Sequence, residues 1–158
     1  MTAPDGPEPA VRRVPGIRAL GLDPGTKRIG IAVSDLSGTI ASPLMVLQRS
    51  KSRRHDLHEL ARVARDEEAE VIVVGLPINL DGSPSASSKA ATKLAEQLAT
   101  VVDVPVEMHD ERLTTVTAER SMLEAGLDAV QRRQRVDKVA AAIMLQSWLD
   151  ARANRLGG

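Results

Sequence analysis

The chain has no cysteine, no phenylalanine and no tyrosine, and Trp148 is its only residue of the Phe, Tyr and Trp classes. The lack of cysteine excludes disulfides, zinc–thiolate sites and thiol nucleophiles. The scarcity of aromatic rings excludes a platform on which nucleic-acid bases stack, because such a platform needs several rings. The hydrophobic core must therefore consist of Val, Leu, Ile, Ala and Met.

Net charge is also absent, since 21 basic residues balance 21 acidic ones. Electrostatic attraction of the whole molecule to nucleic acid is therefore not expected. No stretch reaches the roughly 20 apolar residues that a membrane span requires, and the proline-rich N-terminal segment has no apolar run typical of secretory signals. We expect a cytoplasmic protein that does not associate with membranes.

Charges are nevertheless clustered along the chain. Two basic runs are present, Arg49, Lys51, Arg53 and Arg54 in the first and Arg132, Arg133 and Arg135 in the second. A basic run of this length is, by itself, most simply a solvated loop. The second run directly precedes Asp137, and this position favours a role in binding an anionic ligand.

Apolar periodicity predicts three strands followed by helices that alternate with strands. The first strands, at residues 17–23, Arg28–Ser34 and Ala41–Gln48, are separated by short gaps and should form an antiparallel meander. Later elements are a helix at 56–69, a strand at 71–75, a polar loop at 79–88, a helix near 91–98, a strand at 104–109, a short helix at 117–125 and a helix at 136–153. The later β–α–β connection should be parallel with a right-handed crossover.

These elements predict an α/β fold with a mixed five-stranded sheet and helices on both faces, which is the ribonuclease H-like arrangement. A length of 158 residues fits one domain with one core. We expect a disordered tail at residues 1–16, a single domain at residues 17–153 and a flexible C-terminus at residues 154–158.

Three acidic residues stand where the predicted elements would bring them together. Asp23 ends the first strand, Glu111 follows the fifth strand, and Asp137 opens the last helix. Each has a simpler explanation as a turn cap, a partner of the neighbouring Arg112, or an acid favoured by a helix dipole. Three converging carboxylates repel one another, however, so they are better explained as ligands of one or two Mg²⁺ ions beside a phosphodiester.

Local spacing sharpens this interpretation. Strand alternation allows only one of the adjacent acids Asp110 and Glu111 to point inward. Asp137 lies at helical spacing from Ala141 and Met144, on a stripe of small and apolar residues that should face the sheet. This placement favours metal binding over a purely structural role for Asp137.

Four segments resemble the signature blocks of the RuvX/YqgF family: GLDPGTKRIGIAVSD, VVGLPINLDGS, HDERLTTVTAE and VDKVAAAIMLQSWL. That family is similar to the Holliday-junction resolvase RuvC and belongs to the ribonuclease H-like superfamily. The resemblance implies a bacterial nuclease that trims the 5′ end of pre-16S ribosomal RNA, and some members are described as cleaving Holliday junctions. One departure is His109, where the family often has an aromatic residue.

Carried over by motif, the resemblance makes Asp23, Glu111 and Asp137 the catalytic residues and the ligands of Mg²⁺ or Mn²⁺. We expect a nuclease that acts as a monomer or a homodimer on precursor rRNA or on branched DNA. The residues expected to bind nucleic acid are Thr26, Lys27, Arg28, Asn79, Arg112, Arg132, Arg133 and Arg135. The choice between RNA and junction DNA stays open, because phosphate contacts carry no identity.

Two other functions fit parts of the sequence. A non-catalytic RNA-binding assembly factor could keep the fold, and zero net charge slightly favours it, but the acid cluster would then serve no purpose. The Asp-x-Gly-Thr pattern after a first strand also occurs in sugar kinases and in Hsp70/actin ATPases. Those proteins clasp a nucleotide between two such domains, whereas this chain provides one. A nuclease assay with and without Mg²⁺ or Mn²⁺ separates these functions.

Overall fold

The computed structural model describes residues 16–77, 81–111 and 129–157, and in the last segment it describes the side chains of residues 138–156. The strands in this part of the chain are β1 (Ala19–Pro24), β2 (Arg28–Ser34), β3 (Ala41–Gln48), β4 (Val71–Leu76) and β5 (Val106–Asp110). The helices are α1 (Arg53–Asp66), α2 (Ala86–Ala99) and α3 (Ala129–Gly157).

The strands form one mixed sheet in the order β3-β2-β1-β4-β5. β2 is antiparallel to both β1 and β3, whereas β1, β4 and β5 are parallel to one another. The predicted α/β fold is therefore confirmed. The C-terminal ends of β1, β4 and β5 lie along one edge of the sheet, which is where open α/β sheets bind ligands.

Helix boundaries differ from prediction more than strand boundaries do. α1 begins at residue 53 rather than 56, because the Ser52 hydroxyl caps it by accepting a bond from the backbone N–H of His55. α2 begins inside the predicted polar loop, because Ser85 and Ser88 form a reciprocal capping box. α3 starts at residue 129 rather than 136 and ends at 157 rather than 153.

Two expectations fall on other parts of the chain. The predicted short helix at residues 117–125, and the expected N-terminal tail apart from Gly16, lie outside the described residues. None of the described helices combines the length and the apolar character needed to cross a membrane.

The sheet separates two hydrophobic clusters. On one face Leu22 of β1 belongs to a cluster with Leu60 of α1 and Leu94 of α2. On the opposite face Val73 of β4 belongs to a cluster with Leu145 of α3. Alternate residues of each strand therefore face different helices, as the two-residue period of a strand requires.

Gly21 lets α3 approach the sheet closely. A Cβ atom at this position would lie 2.9 Å from the Cβ of Leu145, closer than two carbon atoms normally pack. Because Gly21 and Asp23 lie two residues apart on β1, they share a face. The helix that covers Gly21 therefore also covers the face on which Asp23 lies.

Candidate functional site

Asp23 lies near the C-terminal end of β1, on the α3 side of the sheet. Strand alternation groups it with Ala19 and Gly21, which contact the α3 layer. Leu20 and Leu22 instead pack toward α1 and α2. The Asp23 side chain is only 8% exposed, so its carboxylate lies at the edge of the core.

Both strands beside Asp23 carry a glycine at its level. Gly30 of β2 is the antiparallel partner of Asp23. On the other side Leu22 pairs with Val74, so the parallel register leads from Asp23 to Gly75 of β4. Residues opposed in this way project onto the same face. Neither neighbouring strand therefore projects a side chain beside the Asp23 carboxylate at this level.

Glu111 reaches over Gly75 toward β1. A Cβ at position 75 would lie 2.6 Å from Oε1 of Glu111 and 3.3 Å from its Cδ. The Glu111 carboxylate thus occupies the space that a side chain on β4 would fill. β4 lies between β5 and β1, and neighbouring strands are about 4.8 Å apart. The carboxylate of Glu111 therefore lies over the strand that directly neighbours β1.

The neighbouring acid, Asp110, belongs to the other face of β5. Met108 packs against the cluster under α1 and α2, and Asp110, two residues later, points to the same face of the strand. His109 instead contacts α3, and Glu111, two residues after it, points to the α3 face. Of the two adjacent acids, Glu111 is the one on the face of Asp23.

Side-chain hydrogen bonds hold α3 against the sheet next to this site. The Nε2 atom of His109 and the hydroxyl of Ser147 are 2.9 Å apart. The indole N–H of Trp148 donates to Oε1 of Glu107 at 3.3 Å. At the far side of the sheet, the Gln146 amide makes two bonds of 2.9 Å to backbone groups around the start of β3. The position of α3 is thus fixed from both sides.

Three of the residues predicted to bind nucleic acid lie in the turn after Asp23. Thr26 and Lys27 are exposed, and Arg28 is half-buried at the start of β2. All three line one groove at this edge of the sheet. The turn is closed by the backbone N–H of Gly25, which donates to the Arg28 carbonyl at 2.8 Å.

Other predicted site residues lie outside the described part of the structure. They are Asn79, Arg112 and the side chains of Arg132, Arg133, Arg135 and Asp137. The backbone of position 137 belongs to α3, eight residues before Leu145, which packs on Gly21. The roles of these residues stay predictions.

The donors in this region fit a hard divalent cation. Asp23 and Glu111 offer carboxylate oxygens, which Mg²⁺ and Mn²⁺ prefer, at a level where neither Gly30 nor Gly75 projects a side chain. Across residues 16–77, 81–111 and 138–156, no three His, Cys, Asp or Glu side chains form a group able to hold a metal. The two acids therefore need further ligands, and the third acid of the motif, Asp137, has its side chain beyond those residues.

Gly30 and Gly75 are the site residues that reasoning from sequence missed. Gly75 interrupts a run of four Val and Ile residues in β4. A glycine inside a strand often marks the close approach of another group, and that signal was available. Here the approaching group is the Glu111 carboxylate.

Comparison with known proteins finds relatives over most of the chain. The family model described as "RuvX: Holliday junction resolvase" matches residues 17–151. A Myxococcus xanthus protein named "Putative pre-16S rRNA nuclease" is 47% identical over 135 residues, which is 85% of this chain and 89% of the relative. A Mycobacterium ulcerans protein with the same name is 44% identical over 156 residues, or 98% and 89% of the two chains.

Solved structures share the fold at low sequence identity. The T. thermophilus RuvC structure in complex with a Holliday junction substrate has a TM-score of 0.55 at 17% identity, covering 89% of this chain and 96% of that one. A second Thermus thermophilus RuvC structure has a TM-score of 0.51 at 16% identity, covering 89% and 97%. At these identities the likeness supports the ribonuclease H-like fold alone.

His109 should make the stability of the fold depend on pH. Burial lowers the pKa of its imidazole and Arg155 lowers it further, whereas Asp110 opposes the shift. Unfolding restores the ordinary pKa, so below it the unfolded chain takes up a proton that the folded chain does not. The free energy of unfolding should therefore be highest above about pH 6.5 and decrease as the pH falls toward the folded-state pKa, by at most about 1.4 kcal/mol per pH unit.

Urea unfolding in metal-free buffer measures this effect. His109→Gln should show a smaller loss of stability between neutral and mildly acidic pH than the wild type. His58→Gln, at an exposed position of α1, is the matched control and should follow the wild type. An unchanged pH dependence in His109→Gln would contradict the assignment.

Proposed function

Because the chain belongs to the RuvX family, we propose that it is a metal-dependent nuclease that acts in the cytoplasm and hydrolyses phosphodiester bonds at the 5′ end of pre-16S rRNA. The names of its relatives support this proposal. The observation that carries it is the Glu111 carboxylate lying over Gly75, beside the strand end that holds Asp23. Two carboxylates on one face of this sheet edge supply the oxygen ligands that a hard divalent cation prefers.

Asp23 and Glu111 would hold Mg²⁺ or Mn²⁺, with Asp137 as a third ligand. The helix position supports this role for Asp137. Ala141 and Met144, four and seven residues later, are fully buried, and helical periodicity puts position 137 on the same stripe. When bound, such an ion supplies a water activated at neutral pH and stabilises negative charge on the leaving oxygen.

The protein's own groups would position the scissile phosphate. Thr26 and Lys27 are exposed in the turn that follows Asp23, where a hydroxyl and an ammonium group can contact phosphate oxygens. On the other side α3 packs over the face of β1 that carries Asp23. The substrate phosphate is thus expected between the turn and the acids.

The adjacent acids Glu111 and Asp110 allow a matched test of this site. Glu111→Gln keeps the shape of the side chain but removes its charge. Mg²⁺-dependent cleavage of a pre-16S rRNA fragment should then fall by more than the roughly 10–100-fold typical of losing an outer partner of a metal ligand. Asp23→Asn should lose activity in the same way, whereas Asp110→Asn, on the opposite face, should retain most of it.

Cleavage rates with and without Mg²⁺ or Mn²⁺ give the readout. Equal losses in Glu111→Gln and Asp110→Asn, or wild-type activity in Asp23→Asn, would show that the acids do not have these separate roles. Cleavage that is equally fast with and without a chelator would show that the reaction needs no metal ion.

Gly75→Ala tests the geometry rather than the charge. The new methyl carbon would lie 2.6 Å from Oε1 of Glu111. The carboxylate is the end of a flexible side chain, so it can move away with little effect on the fold. Misplacing a reacting group by about 1 Å can cost about 100-fold in rate. Cleavage should therefore fall steeply while the urea midpoint stays near that of the wild type. A folded Gly75→Ala protein with full activity would contradict the proposed placement.

A second function, resolution of Holliday junctions, is favoured by the description of the matching family. A resolvase must cut two strands symmetrically and so needs two sites in a symmetric dimer, whereas trimming of rRNA needs one. We expect the rRNA precursor to be cleaved faster than a four-way DNA junction, and by the monomer. Junction cleavage that rises with the dimer fraction, measured by mass across concentrations, would establish the second function instead.

A further inference from the structure

A basic groove lies at the edge of the sheet, on the side that carries α1 and α2. The β1–β2 turn, the end of β3 and the start of α1 line it, and its volume of about 650 Å³ is far larger than one ion needs. Its charged lining residues are Lys27, Arg28, Arg49, Lys51, Arg53 and Asp56. The whole chain has no net charge, so this is a local concentration of positive charge.

The walls of the groove are joined by hydrogen bonds. Asp56 is buried. The backbone N–H of Ser50 donates to both carboxylate oxygens of Asp56, at 3.0 and 3.1 Å, and the Ser50 hydroxyl donates to Oδ1 of Asp56 at 2.8 Å. Arg49 ties this segment to the β1–β2 turn. Its backbone N–H donates to the Lys27 carbonyl at 2.9 Å, and its Nη1 donates to the Gly25 carbonyl at 2.8 Å. The groove is therefore a built feature of the fold.

Several of the basic side chains in the groove are available to a ligand. Lys27, Lys51 and Arg53 are exposed, and none of the three forms an ion pair with a described residue. Arg53 instead has a neutral partner, since its Nη1 donates to the amide oxygen of Gln97 at 3.1 Å. Cations held together in this way attract anions strongly.

The groove reaches the turn that directly follows Asp23. A smaller pocket shares Thr26, Arg49 and Ala90 with the groove and extends to Pro24, on the side of the sheet that carries α2. Pro24 directly follows Asp23. Lys27 lies four residues after Asp23, so their Cα atoms are at most about 14 Å apart. A polymer bound at the acids can therefore reach the groove by crossing the exposed turn.

We propose that this groove binds the phosphodiester backbone of a single nucleic-acid strand, to one side of the phosphate that is cleaved at Asp23. The proposal rests on the nuclease function above and adds a path for the strand. That path runs from the acids, over the β1–β2 turn, and into the groove between β3 and α1. Lys51 and Arg53 thereby become binding residues rather than members of a solvated loop.

The chemistry of the ligand follows from the contents of the groove. Ammonium and guanidinium groups recognise phosphate oxygens. No Phe, Tyr or Trp lines the groove, and the one such ring in the chain, Trp148, is buried between α3 and the sheet, so bases have no platform on which to stack. A single strand is favoured because it can bend around the turn, whereas a duplex is stiff over about 150 base pairs.

The test removes two cations from the groove. The proteins that are compared carry identical residues at the catalytic site. Lys51→Gln/Arg53→Gln is made in an Asp23→Asn parent, so that substrate is bound and not cut. Binding to short single-stranded RNA and DNA of one sequence, and to the corresponding duplexes, is measured by fluorescence anisotropy across salt concentrations. Each contact to a single strand contributes about 0.7 to the salt slope, so the slope should fall by about 1.4 and binding at about 0.1 M salt should weaken on the order of 10-fold.

Arg62→Gln/Arg65→Gln is the matched control, because it removes the same charge from exposed positions of α1, the helix that also carries Arg53. Arg65 lies about 18 Å from Arg53 along α1, and Arg62 is already paired with Glu59 and Asp66. The control should bind both strands as the parent does. In the protein with intact acids, the groove substitutions should raise KM and leave kcat nearly unchanged.

Failure of this proposal is distinguishable from failure of the nuclease function. If the wild type cleaves with Mg²⁺ or Mn²⁺ while the groove variant binds both strands like the control, the groove proposal is wrong and the nuclease function stands. If the wild type cleaves neither RNA nor a junction with either ion, both proposals fail. A loss of affinity for RNA alone would indicate contact with the 2′-hydroxyl and overturn phosphate binding. A loss confined to duplexes would overturn the single-strand path.

Discussion

The candidate site depends on the missing side chain at position 75. β4 separates the strands that end in Asp23 and Glu111, and any Cβ on β4 at this level would take the space that the Glu111 carboxylate fills. With glycine there, the Glu111 carboxylate extends from β5 over β4, on the face of the sheet that holds Asp23. Carboxylate oxygens from two strands on one face are ligands that a divalent cation prefers, so this geometry favours such an ion.

α3 provides the second constraint, because it closes the face on which both acids lie. Gly21 lets the helix approach the sheet, with Leu145 occupying the space above the glycine. The contact of His109 with Ser147 then ties α3 to β5 only two residues before Glu111. Functional groups must be held within about 0.5 Å of their working positions, and these rigid contacts between helix and strand are suited to that purpose.

The sequence predicts the sheet better than it predicts the site. Arg28–Ser34 and Ala41–Gln48 match the predicted strands to the residue, because a two-residue apolar period is a local signal. The predicted polar loop at 79–88 was wrong at its end, where α2 begins. That start depends on the cap at Ser85, inside a stretch whose composition is typical of a loop. The approach of Glu111 to Gly75 depends on the register between two strands more than 30 residues apart, which no local pattern sets. The grouping of basic residues around Asp56 likewise required the folded chain.

The central claim is that Asp23 and Glu111 hold a divalent metal ion between them on the α3 side of the sheet. Anomalous X-ray diffraction from crystals soaked in Mn²⁺ tests this most directly, because it locates the ion without reference to activity. The account predicts a peak in coordinating contact with carboxylate oxygens of both residues, above Gly75. A peak that contacts Asp110 instead, or no ion at this edge of the sheet when Mn²⁺ is in excess, would contradict it.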